Sequence, residues 1–325
     1  MVNHHYLPAL LLLMFMPTIL FTACDRDTRK LPECFDLQGH RGAMGLAPEN
    51  TIPGFLKSVD LGVMTIEFDL AVSNDHKLVI SHEPWFRSDI CLQPDGSPIP
   101  QEEERSYRLY DRRYVEIEQY DCGSLQNPNH PNQQTERAVK PLMTEAIMAI
   151  EEYVRSQDRP PVRYNIEIKS DEAWDNRLTP EPEVFARLVH EEFLTLQEQL
   201  EVDFMKRVNV QSFDPRSVTA FRDISPTIPI AILVYSEESV DDHIETFGFL
   251  PEIYSPNYGV LTPEHVARAH ELGMRVIPWT VNNPEDMETL IGMGVDGLIT
   301  DYPNRFNERY PDYQASSGNC GDSAL

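Results

Sequence analysis

A chain of 325 residues, 41% of them hydrophobic, can bury a sizeable core, which excludes intrinsic disorder. Its 53 acidic and 27 basic residues leave a net charge of −26, which repels nucleic acid and anionic membranes. An anionic substrate must therefore meet a local positive field, and a bound cation is one source of it.

The first element is an apolar run from Ala9 to Phe21, too short to span a bilayer comfortably and interrupted by Pro17. It reads as the hydrophobic part of a secretory signal over residues 1–23, although its flank carries His4 and His5 in place of Lys or Arg. The stretch Leu20-Phe21-Thr22-Ala23-Cys24 resembles a bacterial lipobox with Phe21 where leucine is usual, and so implies lipidation of Cys24. The expectation is an exported protein, periplasmic or anchored as a lipoprotein, with residues 24–35 as a tether. Membrane contact is expected only through that anchor, and no protein partner is evident. Export permits disulfides, and Cys34, Cys91, Cys122 and Cys320 form an even set with three possible pairings. Cys34 with Cys320 would join the start of the fold to its end, and Cys91 with Cys122 would staple a local excursion. No CxxC or Cys/His cluster is present, so zinc is not expected.

From Phe35 to about Phe306, short apolar runs alternate with amphipathic stretches. The strand candidates are residues 36–39, 65–72, 78–81, 164–168, 208–212, 230–235, 252–255, 275–280 and 297–300. Thr51 before Pro53, Thr262-Pro263-Glu264 and Asn283-Pro284-Glu285 open helices, which Gly273 and Gly292 close in the last two cases. This rhythm predicts an α/β fold, a TIM-type (β/α)₈ barrel over residues 36–310. Nine candidates for eight positions make 78–81 a hairpin annex to the second strand. Residues 84–137 are long and polar and break the rhythm; they read as an insertion over the carboxyl-end face, at the substrate entrance. Glu102–Glu104 reads as a solvated face, and residues 311–325 as a tail.

Side chains alternate along a strand, so in Thr65-Ile66-Glu67-Phe68-Asp69-Leu70 both carboxylates face the barrel interior. The same rule turns Asn165, Glu167 and Lys169 inward. Three buried carboxylates need a cation, and Lys169 alone cannot neutralise them. An all-oxygen donor set suits Ca²⁺ or Mg²⁺, the alternative being a structural ion-pair network. His40 and His82 end two of the strands; such a pair can divide proton transfer, one deprotonating the attacking group and one protonating the leaving oxygen. Arg41 can fork onto phosphate oxygens. His190, His265 and His270 lie on expected helices and read as surface or packing residues. Asp296 and Asp301 are expected to bind backbone at turns, and Phe213 to belong to the core. Trp279 and Asn282 follow a strand, with Trp279 a candidate wall for the substrate.

Gly39-His40-Arg41-Gly42-Ala43-Met44-Gly45-Leu46-Ala47-Pro48-Glu49-Asn50-Thr51 resembles the HRGxxGxxPENT signature of the glycerophosphodiester phosphodiesterase family. In order, so do Glu67-Phe68-Asp69, Ser81-His82, Asn165-Ile166-Glu167-Ile168-Lys169, Gln211-Ser212-Phe213, Trp279-Thr280-Val281-Asn282 and Thr300-Asp301-Tyr302-Pro303. The resemblance implies hydrolysis of glycerophosphodiesters to glycerol 3-phosphate and an alcohol, with Ca²⁺ or Mg²⁺ as cofactor. It implies His40 and His82 as the acid–base pair, Glu67, Asp69 and Glu167 as metal ligands, and Arg41 and Lys169 as phosphate holders. Glu49 and Asn50 would border the site, Glu49 as a further ligand or as a guide for Arg41; Gln211 and Asn282 are further candidates. The glycerol hydroxyl beside the phosphate is the implied internal nucleophile. One departure is Glu83, where aspartate is commoner after the histidine.

Two other readings use the same residues. A lysophospholipase D or sphingomyelinase D-like enzyme would need an apolar lip for acyl chains, which the polar insertion does not obviously supply. A non-catalytic phosphodiester-binding lipoprotein would be expected to lack a ligand or a histidine, and every expected position is filled.

Overall fold

A computed structural model describes residues 1–2, 31–32 and 34–313. The expected lipidation site Cys24 and disulfide partner Cys320 lie outside the described residues. Residues Met1–Lys30 separate from a second unit, Leu31–Leu325, which carries all that follows.

That unit is a parallel α/β barrel. Its strands are β1 (Asp36–Gly39), β2 (Thr65–Val72), β3 (Leu78–Ile80), β4 (Arg163–Ile168), β5 (Val208–Ser212), β6 (Ile230–Val234), β7 (Ile253–Pro256), β8 (Arg275–Val276) and β9 (Gly297–Thr300). Around them run α1 (Ile52–Asp60), α2 (Tyr114–Ile117), α3 (Met143–Ser156), α4 (Pro182–Gln199), α5 (Pro215–Ile224), α6 (Val240–Phe247), α7 (Pro263–Glu271), α8 (Pro284–Met293) and α9 (Pro303–Arg309). The strand order β8-β7-β6-β5-β4-β2-β1-β9 leaves one gap. Backbone bonds from Val281 N to Ile299 O, Ile299 N to Pro278 O and Asp296 N to Val276 O bridge it. The stretch after Val276 therefore pairs across the barrel although regular strand geometry ends there, earlier than the expected 275–280. β3 pairs antiparallel with β2, the expected annex.

Local chemistry explains the helix starts. Thr51, Thr262 and Asn283 each accept a backbone N–H in the first turn of a helix that also carries proline there. α8 runs one residue past Gly292 and is closed by Gly294 in the left-handed conformation, where a side chain is strained. On β2, Ile66, Phe68 and Leu70 join the main core under the helices, while Glu67 and Asp69 are buried within the barrel. The barrel interior is divided. Ala231, Ile253, Ile277 and Ile299 make one side apolar. On the other, Gln38 donates to Asp36 (3.0 Å), Asn165 donates to Gln38 (2.8 Å) and Gln211 (3.0 Å), and Asn209 donates to Asn165 (2.6 Å).

The segment between β3 and α3 has a small core of its own. Phe86, Cys91, Leu109, Ile117, Tyr120 and Cys122 pack over Ala71 and Val79, and Cys91 and Cys122 form a disulfide across a sequence separation of 31. Cys34 is also disulfide-bonded. The segment is tied to the β1–α1 loop. Gln133 Nε2 donates to Met44 O (2.7 Å) and Ala47 O (2.9 Å), and Gln134 N to Leu46 O (2.8 Å). Glu104 is not simply solvated as expected: it accepts from Ser88 N (3.0 Å) and Ser88 Oγ (2.7 Å).

Candidate active site

The β1–α1 loop turns sharply after Gly39, with Arg41 at φ 47°, Gly42 at 84° and Asn50 at 54°. A side chain at Gly42 would also press against the backbone of Gly54, so the tight turn needs glycine there. The turn directs Arg41 N to Glu67 Oε2 (2.8 Å), while Arg41 Nη1 donates to Glu49 Oε1 (2.9 Å). Asn50 Nδ2 donates to Asp69 Oδ2 (2.8 Å). Glu49 thus orients Arg41 instead of joining the carboxylate cluster.

β2 and β4 pair in parallel with Glu67 opposite Asn165 and Asp69 opposite Glu167. This register brings one oxygen each of Glu67, Asp69 and Glu167 within 4.8 Å of one another, all three side chains buried. Gln211 Nε2 holds Glu67 Oε1 (2.9 Å), and Lys169 Nζ holds Glu167 Oε1 (2.7 Å). Asp69 Oδ1 is buried without a hydrogen-bond partner among the described residues. Burial, then repulsion from Asp69, pushes the Glu67 carboxyl up to about 8. Burial pushes Glu167 up to about 7; Lys169 opposes this and Asp69 adds to it. Burial also works against an ionised Asp69, but His82, Arg41 and Lys169 outweigh it and hold its carboxyl far below the usual range. Two carboxyls pushed towards their protonated forms, beside one acceptor oxygen without a donor among the described residues, describe a site short of positive charge. The all-oxygen donor set fits a hard divalent cation.

Both histidines are oriented by carboxylates. His40 Nδ1 lies 2.6 Å from Asp301 Oδ1, and Asn282 Nδ2 donates to Asp301 Oδ2 (2.6 Å). His82 Nδ1 lies 2.7 Å from Glu83 Oε1. A carboxylate only accepts, so each Nδ1 carries a proton; Nε2 of His40 is left open, and that of His82 faces the Lys169 ammonium. Lys169 Nζ is 3.2 Å from His82 Nε2 and 3.9 Å from Asp69 Oδ1. Glu83 is therefore a working partner despite its departure from the family pattern. Hydrogen bonding and attraction from His82 overcome the opposing effect of burial and bring its carboxyl down to about 2.

Two expectations need correction. Asp301 was expected to bind backbone; its carboxylate instead holds His40, and that role follows from topology, because β9 lies beside β1 in the closed barrel. Asp296 does bind backbone, through Val276 N at 2.7 Å. Phe213 was expected in the core. It is half-buried at the mouth, edge-on to Trp279 (centroids 5.4 Å apart) and 5.8 Å from Lys169 Nζ. Trp279 stands there over the apolar half of the interior, its indole N–H on Ser255 O (2.9 Å). Residues without an expected role also converge on the loop: Arg87 and Asn127 each reach Glu49 Oε2 at 3.4 Å, and His130 Nδ1 meets Tyr302 Oη at 2.9 Å. They lie in the inserted segment, whose contacts no periodicity encodes.

A cavity of about 740 Å³ opens between Arg41, His82 and the inserted segment.

The model of the glycerophosphoryl diester phosphodiesterase family matches residues 40–305. A glycerophosphodiester phosphodiesterase of Bacillus subtilis (strain 168) is 26% identical over 300 residues, spanning 91% of this chain and 93% of that protein. A Silicibacter pomeroyi DSS-3 protein provisionally described as a glycerophosphoryl diester phosphodiesterase superposes with a TM-score of 0.76. It shares 27% identity, with 88% of this chain and 96% of that one covered. A phosphodiesterase of Oleispira antarctica, solved with the product sn-glycerol-3-phosphate, shares the fold at a TM-score of 0.66 and 21% identity, covering 86% and 97% of the two chains. With its barrel, its motifs and residues 40–305 all in agreement, the chain belongs to the glycerophosphoryl diester phosphodiesterase family, enzymes that hydrolyse phosphoric diesters.

Proposed function

We propose that the enzyme hydrolyses glycerophosphodiesters to glycerol 3-phosphate and an alcohol, using His40 and His82 as its acid–base pair. The observation that carries this reading is the pair of imidazoles, each fixed at Nδ1 by a carboxylate, flanking three clustered carboxylates and two cations. Glu67, Asp69 and Glu167 would hold a divalent cation, Ca²⁺ or Mg²⁺, which when bound supplies charge neutralisation for the phosphate and polarisation of a hydroxyl. Arg41 and Lys169 hold phosphate oxygens, and Trp279 packs against the glycerol.

In this reading His40 Nε2 takes the proton of the glycerol hydroxyl adjacent to the phosphate as its oxygen bonds to phosphorus. The bond from phosphorus to the alcohol oxygen breaks, and His82, which lines the cavity and enters this step as an imidazolium with Glu83 at Nδ1, gives its Nε2 proton to that oxygen and becomes neutral. Water then opens the cyclic phosphate with the roles reversed: His82 takes the water proton and His40 returns one to the glycerol oxygen. Holding nucleophile and phosphate together makes the first step intramolecular.

Glycerol 3-phosphate release by the purified protein tests this, with and without chelator. Turnover is expected to be chelator-sensitive and to fall by about 10²-fold or more in His40→Ala and His82→Ala; undiminished turnover in either variant overturns the pair. We also propose export and lipidation through Cys24, supported by the lipobox-like sequence before it. A labelled fatty acid should attach to the wild type and not to Cys24→Ser.

A further inference from the structure

The cavity beside His82 has a composition that narrows the alcohol. Its wall from the inserted segment presents Ser88, Gln101, Glu104, Asn127 and Asn129. Hydroxyl, amide and carboxylate groups dominate that wall, and its volume of about 740 Å³ exceeds what a two-carbon amine requires. Met44 and Ile99 are the apolar contributors, too few to seat an acyl chain. Among the residues that line it there is no Phe, Tyr or Trp, so a quaternary ammonium finds no such ring to stack on there. The aromatic residues of the mouth, Phe213 and Trp279, pack against each other elsewhere on the rim.

Some of these polar groups, among them the exposed Gln101 and Asn129, can exchange water for a ligand. Among the described residues, no hydrogen bond engages the side-chain amide of Gln101 or of Asn129, and the bonds of Glu104 from Ser88 all fall on Oε2. Asp89 is already matched by Arg87, which donates from Nε to Asp89 Oδ1 at 3.0 Å.

We infer that this chamber is the subsite for the released alcohol and is built for a polyhydroxylated one, an inositol or comparable polyol, in preference to choline, ethanolamine or an acylated glycerol. The inference rests on the reading that the chain cleaves glycerophosphodiesters, and it names the head group that reading leaves open. Hydroxyls on a ring both donate and accept; Glu104 and the amide oxygens take their protons, and the amide N–H groups meet their lone pairs. A ring polyol meets several of these groups at once, whereas a choline leaves them to water.

The test, with divalent cation present, is release of glycerol 3-phosphate from glycerophosphoinositol, glycerophosphoethanolamine and glycerophosphocholine, and of lysophosphatidic acid from lysophosphatidylinositol. The expected kcat/KM for the inositol diester exceeds that for the choline diester by about tenfold or more. Separate Gln101→Ala and Asn129→Ala variants should each shrink that inositol-to-choline ratio by roughly three- to tenfold. The ratio is internal to each variant and independent of how much of it folds. A choline or ethanolamine diester that equals or outpaces the inositol diester removes the subsite assignment and leaves the phosphodiesterase reading standing. A ratio unmoved by both substitutions does the same. Faster cleavage of the lysophospholipid assigns the chamber to an acyl chain instead. No turnover of any of the four removes both readings together.

Discussion

At the residue scale the site depends on partners that fix direction as much as on the reacting groups. Asp301 holds the His40 Nδ1 proton, so Asp301→Asn, which keeps shape and replaces an acceptor by an amide, should leave the fold intact and lower kcat by about 10²-fold or more. A circular dichroism spectrum matching wild type with near-normal turnover would falsify the orienting role. The carboxylate cluster gives a pH signature. Glu67 at about 8 and Glu167 at about 7 stand above the ordinary value near 4.5. In chelated protein their contribution to stability is complete below that ordinary value and disappears as pH rises through 7 and 8. The lowered Asp69 acts in the opposite sense, but only in acid. A cation that replaces the two protons therefore stabilises more at pH 8.5 than at pH 6. Thermal unfolding with chelator or with Ca²⁺ at the two pH values measures this, and equal shifts in Tm would contradict it.

At the element scale, strands were readable because residues 65–70 of β2 and 163–168 of β4 alternate polar and apolar side chains, and burial leaves few other ways to fold such a pattern. Glu67, Asp69 and Glu167 were accordingly legible, and Asn50 and Gln211 through their motifs. Asp301 was not, because Thr300-Asp301-Tyr302-Pro303 also suits a turn, and its partner is 261 residues away. The inserted segment was legible only as an interruption. Its core depends on contacts such as Phe86 stacked on Tyr120, which follow no period. The Cys91–Cys122 bridge limits the freedom of this segment when unfolded. Its removal by Cys91→Ala with Cys122→Ala should cost about 3 kcal/mol. Faster proteolytic cleavage within residues 92–121 than in wild type is the expected result, and an unchanged rate would show that the segment holds without the bridge.

At the scale of the whole molecule, the charge of −26 opposes the approach of a monoanionic diester, while in the proposed reading Arg41 and Lys169 attract it only at close range. Raising ionic strength from about 10 to 150 mM shortens the screening length from roughly 30 to 8 Å. That removes long-range repulsion and spares the contact, so kcat/KM for glycerophosphoglycerol should rise by about twofold; a fall would mean that local attraction governs encounter. The two halves of the barrel interior carry a further consequence. Glu67 is moored through Gln211, Asn165 and Gln38 to Asp36, a relay of amides crossing to the foot of the cylinder. Ala231, Ile253, Ile277 and Ile299 hold no such tether. Anyone remodelling this enzyme can exchange aliphatic bulk along β6 to β9 and expect Glu67 to stay in register, whereas a single swap at Asn165 would loosen it from below.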